Sequence, residues 1–439
     1  MHRNTLIKVR FLRLVPVVAV LALSGCGKGL LGGQLLSPEI IKVTVPTETV
    51  KPAIKEAPPE KPADNSPILP PAPSKPAPPQ SRQDSRSDEV ESRNVIAPTV
   101  PPDISYRDET LTEDVTWHGE VLVEGSVTVA PQATLTIEAG TVVRFRAGPA
   151  DSGSGGVLLV QGRIQANGSN EKPVLFASNF EEPQAGDWQG IVLLASEKKN
   201  LLEHCRVEGA ETGLDASFAH ITMKNTLFVK CRTGARLQDS LLVMVGCGAS
   251  NCAIGLSLFD CEADIRDASF SSNRKGISAV RTSLYLAGST LYGNDFEAVA
   301  AENSRVKIVG NSFTLNGSGA SLTGCEGAVS LNRILKNTDY GLLLARSRVK
   351  ANGNEIAQNG KIGLQVEEGN SVAWGNILFS NGTYDLYNAG NGEFRAIGNW
   401  WGEGTLAHIG KRIYDQRMDN GRGRVLYMPV LKERPATVQ

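Results

Sequence analysis

The side chains in this 439-residue sequence that could do covalent chemistry are few and far apart. Beyond His2 the histidines are His118, His204, His220 and His408. No two have metal-ligand spacing, and there is no C-x-x-C, so neither a metal nor any other cofactor is expected. Asp260, Asp264 and Asp267, with Arg266 among them, are the densest acidic group. Cleaving a glycosidic bond takes two ionisable groups about 5–10 Å apart across the substrate. These three aspartates lie on one turn with no second set one repeat away, and they read as a solvated turn. No catalytic residue is assigned. Cations are better placed: SRVKIV and ARSRVKA put Arg305, Lys307, Arg346, Arg348 and Lys350 at alternate positions. Arg305, Lys307, Arg348 and Lys350 are the candidate contacts for an anionic glycan, with a merely solvated strand face as the competing reading.

What must position them is a repeat. Short apolar phrases begin at Gly190, Gly213, Gly234, Gly255, Gly276, Glu297, Gly319, Gly341, Gly363 and Asp385, at intervals of 21 to 23 residues. Such a period signals a stacked repeat architecture. Each repeat holds two further short apolar runs, as in ADIRDASF after GLSL, and none has a helical period over ten residues. Three short strands in 21–22 residues make one coil of a parallel β-helix. Such a coil buries its inner face only by stacking on its neighbours. A leucine-rich repeat has a similar period, but its strict leucine phrase is missing and no room is left for a helix.

Asparagine repeats in step: Asn251, Asn273, Asn294, Asn316, Asn337, Asn359 and Asn381. An amide donates and accepts, so stacked asparagines can satisfy one another at the turns. A shorter column is Asn311, Asn332, Asn354 and Asn376. Cys231 and Cys252 share a register in neighbouring coils, while Cys261 and Cys325 lie three coils apart. Buried thiols are expected there. Met223 and Met244 are 21 apart in a register also held by Ile265 and Leu286, which makes them core rather than copper ligands.

Residues 1–26 read as an export signal: a basic start, an apolar run from Leu14 to Leu23 too short to span a bilayer, then Leu23-Ser24-Gly25-Cys26. That ending resembles the bacterial lipoprotein cleavage box, which implies lipidation of Cys26 and a membrane partner through the anchor. Gly27 after it leans, by the same analogy, towards the outer membrane. Residues 27–105 hold 16 of the 23 prolines and read as a disordered tether. Residues 106–439 are the expected solenoid with capping segments at both ends.

The opening of that solenoid, W-x-G-x-V from Trp117, ATLTIEAGTVVRF and the W-x-G-I at Trp188, resembles right-handed parallel β-helix proteins of the pectin-lyase-like superfamily. Asn399-Trp400-Trp401-Gly402 resembles their closing turns, where the tryptophans are expected to cover the end of the stack. The resemblance implies an all-β, right-handed fold and transfers no catalytic residue. Lys plus Arg is 45 against 46 for Asp plus Glu, and removing the four basic side chains of the signal leaves 41 against 46. That balance excludes nucleic acid as an expected partner. The expectation is a bacterial cell-envelope lipoprotein of the outer membrane, on either of its faces. Its β-helix would act as a non-enzymatic scaffold or binding module for polysaccharide or envelope proteins. The alternatives are a polysaccharide lyase, epimerase or hydrolase, and a metal-centre maturation protein.

Overall fold

A computed structural model of the chain describes residues 93–95, 102–147 and 155–436. Residues 1–26, read as an export signal with Cys26, and nearly all of 27–105, read as a tether, lie outside the described residues. What is described is a right-handed parallel β-solenoid of about 13 turns. One coil shows its construction. Strands Ile254–Phe259, Glu262–Arg266 and Ser269–Ser271 form its first, second and third faces. Each pairs in parallel with its counterpart in the next coil, Lys275–Val280, Ser283–Ala287 and Thr290–Tyr292.

Strand alternation sends every second side chain inward, and in-register pairing piles the inward ones into columns. On the first face the column runs Leu214, Ala235, Leu256, Ile277, Val299, Ala320, Leu342, Leu364, Leu386, and all nine are buried. On the second face Met223 lies on Met244, then Ile265 and Leu286, all within the core. The glycine that opens each phrase is needed for close approach. A Cβ on Gly276 would lie 2.4 Å from the Ala298 carbonyl oxygen. Pairing of Ile277 with Val299 puts Ala298, not Glu297, in that slot of the next coil. The extra residue of that coil falls before the strand, so the true intervals there are 22 and 21.

Corners are made alike. Asp260, Asp267 and Ser272 have φ of 53°, 51° and 56°, the left-handed conformation that turns the chain sharply. The residue after each, Cys261, Ala268 and Asn273, points inward and is buried. From Asn273 onward one corner carries an amide ladder. Each Nδ2 donates to the Oδ1 of the next asparagine: Asn273 to Asn294 at 3.0 Å, on to Asn316 at 2.8 Å, Asn337 at 3.1 Å, Asn359 at 2.9 Å and Asn381 at 2.9 Å. The last amide donates to Asp385 Oδ1 at 2.9 Å, and Arg412 Nε holds the other oxygen at 3.1 Å. A second corner stacks Asn311, Asn332, Asn354, Asn376 and Asn399 in the same way.

Asn251 does not belong to the ladder. It is exposed, with φ of 56°, and it occupies the left-handed corner position. Cys252 takes the inward place, its backbone N–H donating to Asn273 Oδ1 at 2.9 Å. Asparagine suits both positions, since it tolerates φ > 0 as readily as it fills an amide column. Cys231 and Cys252 extend this column towards the start of the solenoid. Among the described residues all six cysteines are buried and free. Burial pushes the Cys205 thiol up to about 12 and Cys247 to about 11.

The closing segment covers the last coil. Trp400 and Trp401 are 8% and 5% exposed, and Trp400 lies edge-on to Phe379 at 5.3 Å. A short helix, Leu406–Lys411, is capped by Thr405. At the opening end Trp188 stacks on Phe145 at 3.9 Å.

Candidate functional site

A groove of about 1000 Å³ lies on the outer side of the second face. Its origin is the strand period seen from outside. In Arg305–Val309, Val306 and Ile308 point inward while Arg305 and Lys307 are exposed. Register then builds two outward columns. One runs Leu241, Glu262, Ser283, Arg305, Glu326, Arg348, and the other Val243, Asp264, Tyr285, Lys307, Ala328, Lys350. All twelve line the groove, which therefore follows the stack across six coils, a run of roughly 24 Å at 4.8 Å per strand.

The four candidate cations come together here. Arg305 and Lys307 form one row, Arg348 and Lys350 another two coils on. The coil between is slight: Gly327 stands where its neighbours carry Val306 and Val349, and Ala328 lies between the two lysines. Gly327 has φ of 134°, and a Cβ there would lie 1.9 Å from the Val306 carbonyl oxygen, so only glycine fits. Arg346, at a corner with φ of 46°, is not part of the lining.

Charges in the groove are unevenly matched. Arg348 Nη2 donates to Glu326 Oε2 at 2.7 Å. That hydrogen bond first, then the charges of Arg348 and Arg305, hold the Glu326 carboxyl below its ordinary range. Lys307 Nζ lies 5.0 Å from the centre of the Tyr285 ring, and the Arg266 guanidinium 5.3 Å from it. Among the described residues the side chains of Arg305 and Lys350 make no hydrogen bond or salt bridge, although Glu326 stands beside Arg305 in its column. Some outward cations elsewhere meet a carboxylate one coil away, as Arg348 does here: Arg232 with Glu211, Arg236 with Asp215, Arg281 with Asp260, Lys361 with Asp339.

The three aspartates read as one turn are separated. Asp260 and Asp267 are corner residues, whereas Asp264 lies mid-strand, faces the groove and accepts two hydrogen bonds of 2.8 Å from Arg266. Tyr285, Ser283, Glu262 and Glu326 were not singled out as site residues from the sequence. Their signal is vertical: each lies 21 to 43 residues from a candidate cation in a shared column. A second cavity, about 510 Å³, lies in the closing turns between Trp400, Trp401, His408 and Arg412. The other three histidines line neither cavity. Among the described residues no His, Cys, Asp or Glu cluster could hold a metal, and no helix is long and apolar enough to cross a membrane.

A pectate-lyase-like β-helix domain model matches residues 109–216, and a right-handed β-helix region model matches 254–400. No curated protein matches the sequence. Among solved structures the periplasmic alginate epimerase AlgG is 11% identical, over 71% of this chain and 76% of that one, with a TM-score of 0.38. The Azotobacter vinelandii mannuronan C-5 epimerase AlgE6 A-module is 14% identical, over 65% and 91%, with a TM-score of 0.45. An alginate lyase from Paenibacillus sp. is 12% identical, over 67% and 93%, with a TM-score of 0.25. The chain forms a right-handed parallel β-solenoid whose residues 109–216 are similar to the pectate-lyase-like β-helix domain and 254–400 to the right-handed β-helix region.

Proposed function

We propose that this protein binds an extended anionic polysaccharide along the second face of its solenoid and does not transform it. The observation that supports this most is the gathering of four cations, Arg305, Lys307, Arg348 and Lys350, in one groove, with Glu326 the one carboxylate between their two rows and no salt bridge at Lys307 or Lys350 among the described residues. Each exposed cation–carboxylate contact is worth only about 0.2–1 kcal/mol. A polymer that spans the two cationic rows, Arg305 with Lys307 and Arg348 with Lys350, adds several such contacts. Tyr285 offers a ring against which the apolar side of a sugar can lie.

The amino-terminal expectations join this reading as proposals. Cys26 is the lipidation site, residues 27–105 are the spacer, and the solenoid is held at the outer membrane by that anchor. Mass spectrometry of the mature amino terminus tests the anchor, and an unmodified start at another residue would remove it. Binding is tested by calorimetry against acidic and neutral polysaccharides at about 0.15 M and about 1 M salt, where the Debye length shrinks from about 8 to about 3 Å. Salt-weakened binding to acidic polymers, with no new reducing ends and no unsaturated products, is the expected result. Turnover of any polymer, abolished by a single carboxylate change, would establish an enzyme instead.

A further inference from the structure

We infer that the groove selects polysaccharides in which an acidic sugar alternates with an uncharged one, over polymers that carry a carboxylate on every sugar. This rests on the binding reading above and adds the spacing of the charges to it. An extended pyranose chain advances by close to one strand spacing per sugar, so a chain lying along the stack presents about one sugar to each coil. The cationic rows, Arg305 with Lys307 and Arg348 with Lys350, are two coils apart, about 9.6 Å at the strand spacing. They suit carboxylates on alternate sugars.

The row between them is built against a carboxylate. It carries Glu326 and Ala328. Glu326 is held in its charged form by Arg348 and Arg305, so an acidic sugar at this level would meet a like charge. The Ala328 methyl leaves space above it for an uncharged ring or a bulky neutral substituent. On the other side of the first cationic row stand Ser283 and Tyr285, again uncharged and able to receive a sugar face. Beyond them Glu262 and Asp264 end the favourable stretch. From Ser283 to Lys350 the rows therefore call for four sugars in the order neutral, acidic, neutral, acidic. An unfavourable contact at Glu326 supplies specificity that the cations alone cannot, since they attract any polyanion.

The test compares hyaluronan oligosaccharides, where uronate alternates with a neutral amino sugar, with oligogalacturonates of equal length and with neutral cello-oligosaccharides, on the full chain. The alternating oligomer should bind about tenfold more tightly than the homopolymer, though it carries half the carboxylates. Glu326→Gln should raise oligogalacturonate affinity by at least about threefold more than it raises hyaluronan affinity, which narrows the preference. Equal or tighter binding of the oligogalacturonate to wild type, or no gain in Glu326→Gln, would overturn the alternation and leave the binding function standing. If neither acidic oligomer binds, the binding function itself falls, and the alternation with it.

Discussion

Two kinds of polar column run along this stack, one inside its corners and one on the outside of its second face. Both follow from the same repetition, a side chain placed above its equivalent one strand spacing away. At the corners the repeated group is an amide, and each asparagine donates to the next until Asp385 and Arg412 close the series. In the groove two cationic rows, Arg305 with Lys307 and Arg348 with Lys350, flank a row whose one carboxylate is Glu326, so the charges do not cancel. Repetition that satisfies itself is structural. Repetition that leaves charge unmatched offers that charge to a partner.

The largest expected effect lies on the inside. Leu342 is fully buried in the first-face column, and Leu342→Asp should cost more than about 4 kcal/mol, because a carboxylate there has neither water nor a partner. Thermal unfolding near that of wild type would show the column assigned to the wrong face. Asn316→Leu comes next. Asn316 Oδ1 accepts from the Asn294 side chain at 2.8 Å, and its Nδ2 donates to the Leu291 carbonyl oxygen at 3.0 Å. Losing them should cost about 1–3 kcal/mol in denaturant unfolding and leave glycan affinity unchanged.

The thiol end of the corners gives a pH effect. Burial raises Cys205 to about 12 and Cys247 to about 11, against about 8.5 for a free thiol. A raised thiol pKa means that the folded chain keeps its proton where the unfolded chain has lost it. Stability is therefore fully present below about pH 8.5 and falls as pH rises towards 11 and 12. Cys205→Ala combined with Cys247→Ala should flatten that alkaline decline in pH-dependent unfolding, and an unchanged decline would place its source elsewhere. Smallest of all is the outside. Lys307→Glu with Lys350→Glu should change unfolding free energy by no more than about 0.5 kcal/mol, since both side chains are exposed and neither forms a salt bridge. A larger loss would make the groove a structural feature like the ladder.

These contrasts explain what a sequence reading reaches and where it slips. The coil period and the inward leucines are written in local alternation, so they are legible without coordinates. Asn251 was misplaced by one residue because the left-handed corner and the amide column sit side by side and both favour asparagine. Counting 21 residues from Gly276 lands on Glu297 rather than Ala298, because the coil that lengthens by one residue does so just before its strand. Arg305, Lys307, Arg348 and Lys350 stand out within two short segments. Tyr285 and Glu326 acquire meaning only when three coils are laid in register, and a residue count that varies between 21 and 22 hides that register. Asp260, Asp264 and Asp267 look like one cluster along the chain, but two of them turn corners while the third faces outward from a strand.

One measurement separates the groove from the charge of the whole molecule. Lys307→Glu with Lys350→Glu in the groove, and Arg232→Glu with Arg236→Glu among the paired charges of the first face, alter net charge equally. Affinity of each full-length variant for the acidic polysaccharide bound by wild type is read by calorimetry at a single salt concentration. The groove variant should lose at least about tenfold, and the first-face variant should stay within about twofold of wild type. Equal losses in the two, or a groove variant that binds like wild type, would contradict the assignment of the second face as the binding surface.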